Sequence, residues 1–177
     1  MPTLERKRMS YDAYCALPEE IRAEWVDGEV VVTPSPSFRH QRISFRVARL
    51  LDEAMPGFYM VEATSLHLPR NRERIPDLMV VDREPETPYV DFAPVLVVEI
   101  LSRSTRSEDT VRKSGEYLAG GAGQYWIVDP VDRSIDVFAN NHTGWDAVAR
   151  IDEAIPEVTV PVTEDASVEV RLHDLLG

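Results

Sequence analysis

Apolar residues recur along the chain with two periods, and the alternation between them outlines the fold. From Phe38 to Ala54, Ile43, Val47, Leu50, Leu51 and Ala54 return at helical spacing, and Arg39, Arg42, Arg46 and Arg49 fall between them. The spacing predicts an amphipathic helix over 38–54, stopped by Pro56-Gly57. Ser10 to Leu17 reads as a short helix with Ser10 as N-cap. Glu24 to Thr33 reads as a hairpin, because Asp27-Gly28 is a turn signal between apolar stretches. Tyr59 to Leu68 alternates loosely, as one strand would. Two apolar runs, 77–81 and 95–101, flank a loop rich in Pro, Asp and Glu and predict an antiparallel pair.

A helix is expected from Arg106 to Ala119, with Thr105 and Glu108 spaced as a capping box. Gln124 to Val128 has the composition of a buried strand, and Ser134–Phe138, Trp145–Ile151 and Val158–Val162 read as further strands. Leu172 to Leu176 reads as a terminal helical turn. Few helices among many strands predict an α/β (α+β mixed) domain with a mixed sheet. No repeat or linker divides the 177 residues, so one domain over 1–177 is expected.

Bulk composition narrows the function classes. No apolar run approaches the roughly 18 residues of a membrane span. The start, MPTLERKRMS, has basic residues with no apolar region behind them, so a secretory signal is not expected. Cys15 is the only cysteine, which excludes an internal disulfide and a Cys-based zinc site. The cytoplasm is the simplest compartment. A net charge of −12 argues against coating nucleic acid by electrostatics alone, but permits an enzyme that meets phosphates through a metal and a local basic patch. Apart from Lys7, in an N-terminus expected to fray, Lys113 is the only lysine beside 17 arginines. Because ammonium and guanidinium are not interchangeable, Lys113 draws attention.

Glu99 carries the chemical argument. It interrupts an apolar run expected to be buried on both faces, where a carboxylate costs several kcal/mol unless neutralised, paired or metal-bound. Asp77 follows Pro76 at the start of the preceding strand, so antiparallel pairing brings it to the same end as Glu99. Two such carboxylates with open water positions suit Mg²⁺ or Mn²⁺. Asp109, Lys113 and Tyr117 stand at i, i+4 and i+8 and share a helix face, from which the ammonium can reach that ion. Each residue also has a plainer reading. Glu99 could pair with Arg103 or Arg74, Asp77 could be a turn residue, and Lys113 could be an exposed partner of Asp109. Glu24 could be a surface residue of its hairpin, and His40 a packing or capping residue. Glu62 lies on a strand that could neighbour the site, and Tyr117, Tyr125 and Trp126 read as core or as support for the site. No Gly-rich phosphate loop or HExxH motif is present.

Pro76-Asp77, Glu99-Ile-Leu-Ser102, Asp109, Lys113, Tyr117 and Gln124-Tyr-Trp-Ile-Val-Asp-Pro130, together with Glu24-Trp-Val-Asp-Gly-Glu29 and Arg39-His40-Gln41, resemble the Uma2-like (DUF820) family of the PD-(D/E)XK nuclease superfamily. The resemblance spans about residues 10–176. It implies a restriction-endonuclease-like core, a central mixed β-sheet flanked by helices, with the site at the strand ends. It further implies Asp77 and Glu99 as metal ligands, Glu24 as a further acidic member, and a metal-dependent endonuclease acting on nucleic acid, DNA foremost. The E-x-K pattern would put lysine at 101, where Leu101 stands; the resemblance implies that the following helix supplies it as Lys113. The rival expectation is an inactive nuclease-fold module serving dimerisation or partner binding. Apolar strands near the C-terminus make a homodimer a further expectation.

Overall fold

Two adjacent strands, β7 (Leu78–Val81) and β8 (Leu96–Ile100), are buried along their whole lengths and form the centre of the molecule. A computed structural model describes residues 5–18, 21–32, 35–102 and 108–177, without the side chains of 108 and 109. The two strands pair antiparallel, with Leu78 opposite Val98 and Val80 opposite Leu96, as the two apolar runs predict. β8 pairs in parallel with β9 (Gln124–Asp129), and the connection carries a π-helical turn (Glu108–Lys113) leading into a helix, α3 (Ser114–Ala119). A parallel pair needs such a crossover, because a tight turn cannot reverse the chain twice. With β4 (Tyr59–Glu62), β10 (Ser134–Asn140) and β11 (Trp145–Ile151), the sheet runs β11-β10-β9-β8-β7-β4 and is mixed.

Alternation divides this sheet's contacts into two cores. Leu78, Val80, Leu96, Val98 and Ile100 face one way, where α2 (Phe38–Ala54) lays Ile43, Val47 and Leu51 against them. Met79, Val81 and Val97 face the other way, toward Tyr117, Tyr125 and Leu66. The helix has the bounds that its periodicity predicts. Its cap is Ser37, whose Oγ accepts from the His40 amide at 3.2 Å.

A second sheet covers the other core, in the order β1 (Glu5–Arg8), β3 (Glu29–Val32), β2 (Ala23–Val26), β6 (Arg72–Arg74) and β5 (Leu66–Leu68). Its β2–β3 turn is the one expected: Asp27 and Gly28 both have positive φ, 53° and 85°, as a type I′ turn requires. A short helix, α1 (Tyr11–Cys15), precedes it, capped by Ser10. A hairpin, β12 (Glu157–Pro161) with β13 (Ser167–Arg171), and the terminal α4 (Leu172–Leu176) close the α2 side.

Several expectations need correction. Tyr59–Leu68 is two strands in different sheets, separated where Ala63 takes a φ of 49°. Lys7 is not in a frayed end, since it pairs with Val30 as part of β1. The start of the helix expected from Arg106, with its Thr105 cap, lies outside the described residues, and the part from Glu108 to Lys113 is π-helical. The C-terminal strands are apolar because part of each is core: Val160, Val168 and Val170 have no exposure, while Val148 is 40% exposed. Among the described residues no helix is long and apolar enough to cross a membrane.

Candidate functional site

Glu99 lies in the middle strand of the molecule and is 2% exposed, so its charge must be met inside the protein. Two groups from the crossover meet it at one oxygen. Lys113 Nζ donates to Glu99 Oε1 at 2.9 Å, and Tyr117 Oη donates to the same oxygen at 2.6 Å. Lys113 closes the π-helical turn and Tyr117 stands four residues later in α3, so the pair shares a helix face as the spacing predicts. The side chain of Asp109, the third member of that face, lies outside the description. π-helical turns interrupt α-helices often at functional sites, and this one carries the lysine.

Asp77 directly precedes β7. Continuing the Leu78–Val98 register by one residue sets Asp77 opposite Glu99, on the same face of the pair. The two carboxylates are held differently. Asp77 Oδ2 accepts from the Ile100 amide at 2.8 Å and from His40 Nε2 at 3.1 Å. A carboxylate cannot donate, so Nε2 carries the proton of this bond. Among the described residues, the charged partner of Asp77 Oδ1 is Arg22, at 3.9 Å. Burial would raise the Asp77 pKa, but the His40 hydrogen bond and charge, the Ile100 amide and Lys113 outweigh it and hold it below the usual carboxylate value. Burial works against charge on His40 as well, yet the hydrogen bond to Asp77 and its charge push the imidazole up. Burial and Glu99's charge place Tyr117 well above a free tyrosine, so it donates to Glu99 as a neutral phenol.

Glu24 ties this group to the second sheet. Its Oε1 stands 3.2 Å from Lys113 Nζ and accepts from the Ile75 amide at 3.0 Å, while Oε2 accepts from Arg74 Nη1 at 2.8 Å. Burial opposes its charge, but Lys113 and Arg74 outweigh burial and keep its pKa low. Arg74 has no exposure and also binds Glu116 in a two-pronged contact through Nε and Nη2, the latter at 3.0 Å. Burial acts against this guanidinium too, but Glu116 and Glu24 more than offset it and raise its pKa. Strand, strand and helix are thereby joined through one alternating chain of charges, Glu116–Arg74–Glu24–Lys113–Glu99.

Each plainer reading can be compared with this geometry. Glu24 is buried rather than a surface residue of its hairpin, and Lys113, 5% exposed, is not a surface partner of Asp109. Of the two arginines considered for Glu99, Arg103 lies outside the described residues, and Arg74 binds Glu24 and Glu116. His40, read as a cap or packing residue, binds Asp77 directly. Glu62, on edge strand β4, accepts from Ser44 Oγ at 3.0 Å and is not among the partners of Lys113 or Asp77. Tyr125 and Trp126 are core residues, and Trp126 Nε1 donates to Gln124 at 2.9 Å. Glu116 was not singled out from the sequence. No local spacing marks it, because its partner lies 42 positions away.

The donor chemistry suits a hard divalent ion. Among the described residues no three His, Cys, Asp or Glu side chains converge as a metal-binding group; Asp77 and Glu99 are the carboxylates that the strand register sets side by side and that could hold such an ion. One or two carboxylates are what Mg²⁺ commonly takes from a protein, with water and substrate phosphate completing its shell.

The Uma2 family, described as "Putative restriction endonuclease", matches residues 10–169. Among solved structures, "a putative nuclease belonging to DUF820" from Anabaena variabilis aligns with a TM-score of 0.77 at 20% identity, covering 95% of this chain and 97% of that one. At that identity the likeness establishes the fold, which is the restriction-endonuclease-like one. No curated protein matches the chain.

Proposed function

The chain belongs to the Uma2 family, and we propose from that premise that it is a metal-dependent endonuclease hydrolysing nucleic-acid phosphodiester bonds, DNA foremost. The observation that carries this reading is the position of Lys113. The only lysine besides Lys7 is buried on Glu99, and Glu99 stands opposite Asp77 at the strand ends. Asp77 and Glu99 would hold Mg²⁺ or Mn²⁺, which when bound supplies Lewis-acid polarisation of phosphate and a more acidic water. Oδ1 of Asp77 is the oxygen left for this, since Oδ2 is committed to His40 and Ile100.

The protein's own groups have distinct tasks. Lys113 stabilises charge that develops on the phosphoryl oxygens, a preorganised electrostatic role in a site shielded from water. Lys113 is ion-paired with both Glu24 and Glu99, so its task is that of a fixed cation rather than of the general base. Tyr117 orients Glu99, and His40 orients Asp77. Glu24 is a positioning residue: it contacts Lys113 and is fixed by Arg74 and the Ile75 amide.

The test is cleavage of plasmid and of single-stranded DNA and RNA with Mg²⁺ or Mn²⁺, together with calorimetric titration of each ion. Metal-dependent cleavage, and ion binding that weakens in Asp77→Asn, are expected. No cleavage of any substrate and no ion binding would instead favour a nuclease-fold module that binds partners without catalysis.

A further inference from the structure

The outer face of α2 is basic and aromatic on a chain of net charge −12. Phe38, Arg42, Phe45 and Arg49 are spaced i, i+4, i+7 and i+11, so they form one straight stripe opposite the buried Ile43–Val47–Leu51 face. Both phenylalanines point into solvent, Phe38 at 83% exposure and Phe45 at 62%. Nothing in the fold needs them there, since the core of α2 is complete without them. Between Phe38 and Leu51 the helix carries four arginines and no acidic residue, on a chain of net charge −12.

The arginines are prepared to different degrees. Arg42 makes no hydrogen bond or ion pair among the described residues, and Arg49 has only an exposed contact with Glu53 at 3.7 Å. Arg39 donates to the Pro130 carbonyl at 2.7 Å and Arg46 to that of Leu175 at 3.1 Å, bonds that aim a guanidinium without neutralising it. Beside the stripe runs a groove of about 710 Å³. On its far wall Arg171 and Glu169 pair with each other at 2.7 Å, and Glu53 and Asp174 line it with the three arginines that α2 contributes.

We infer that the Phe38–Arg42–Phe45–Arg49 stripe binds a single-stranded segment of nucleic acid, with unpaired bases stacked on the two rings and phosphates on the arginines. Alternating aromatic and arginine side chains supply the two terms of single-strand binding, base stacking and backbone neutralisation. A duplex hides its base faces, so the rings have nothing to stack on there. A second copy of the chain is the other occupant to weigh. A two-fold contact through this face would set the arginine stripe of one copy against that of the other, and like charges disfavour it. The stripe covers about 16 Å of helix, and Phe38 shares the first turn of α2 with His40, the residue bonded to Asp77. A strand on the stripe therefore has one end within a helical turn of the candidate site. The inference rests on the nuclease reading, whose substrate it narrows to unpaired strands.

The test is fluorescence anisotropy on the full chain with labelled oligo(dT) and oligo(U) of about 15 nucleotides and a mixed-sequence duplex of equal length, with chelator present so that nothing is cut. Both single strands should bind at least about tenfold more tightly than duplex. Phe38→Ala/Phe45→Ala should lose at least about tenfold in single-strand affinity. Arg42→Gln/Arg49→Gln should lower the slope of log affinity against log salt by about 1 to 1.5. All four side chains are exposed, and an unchanged thermal midpoint verifies that the variants fold. Equal binding of duplex and single strand, or full affinity in the double-phenylalanine variant, overturns the inference. So does a dimer in solution that the same variant dissociates while the parent binds no oligonucleotide, which would assign the face to a second copy. Asp77→Asn separates the two readings. If it still cleaves, the catalytic reading fails whatever the stripe does. If it binds strands fully and cuts none, both stand.

Discussion

At Arg74 a guanidinium with no exposure serves glutamates from two other elements, and its loss would leave Glu24 and Glu116 buried without their shared cation. Breaking one member of a buried ion group costs far more than exchanging the whole group for apolar side chains. Arg74→Met should therefore lower stability by about 3–5 kcal/mol in urea unfolding. Adding Glu24→Gln and Glu116→Gln should recover part of that loss. At this scale the sequence was uneven as a guide. Glu99 was legible because an apolar strand cannot hold a lone carboxylate, and Lys113 because a chain of arginines used lysine there. The Arg74 pairs were not, because their members lie 42 and 50 positions apart and only the pairing of β2 with β6 and the docking of α3 on that sheet join them. His40 was visible as a residue, but its bond to Asp77 depends on where α2 begins relative to β7, which no local spacing reveals.

The crossover from β8 to β9 is the element that brings lysine and carboxylate together, and its far end is tightly fixed. A Cβ at Gly123 would lie 2.7 Å from the Val95 carbonyl oxygen, a backbone atom that cannot swing aside. The Gly123 amide also donates to the Pro94 carbonyl at 3.0 Å, so the glycine is pinned where β9 enters the sheet. Gly123→Ala should cost about 1–3 kcal/mol, read as a lower midpoint in thermal or urea unfolding. From sequence, Gly120, Gly121 and Gly123 signalled only the end of a helix. The close approach needs the parallel pairing of β8 and β9, which is non-local. Strands such as β1 and β6 were missed for a related reason. They are four and three residues long, charged, and defined by their neighbours rather than by apolar alternation. The 38–54 helix and the 77–81 and 95–101 pair were legible because each buries a complete periodic face.

For the whole molecule, the buried charges should set how stability depends on pH. Glu24 and Asp77 have folded pKa values below their ordinary 4.5 and 3.8. Each contributes stability that is fully present above those values and is lost as pH falls through the depressed folded ones. His40 behaves in the opposite sense. Its folded pKa lies above 6.5, so its contribution is complete below 6.5 and fades as pH rises through the folded value. Stability should hence be greatest between the two limbs. Urea unfolding across pH should show Glu24→Gln flattening the acidic limb and His40→Gln the alkaline one. A profile unchanged by either substitution would mean that these groups do not set it. The same scale holds the functional claim, since the site exists only where the mixed sheet, the second sheet and the crossover meet. Its most direct test is the rate of Mg²⁺- or Mn²⁺-dependent cleavage by the parent and by Glu99→Gln, with folding of both verified by urea unfolding. The account predicts that the folded variant loses cleavage by at least about a hundredfold, because it lacks one of the two carboxylates that would hold the ion and the anion that positions Lys113. A folded Glu99→Gln protein that cuts at the parent rate would contradict it.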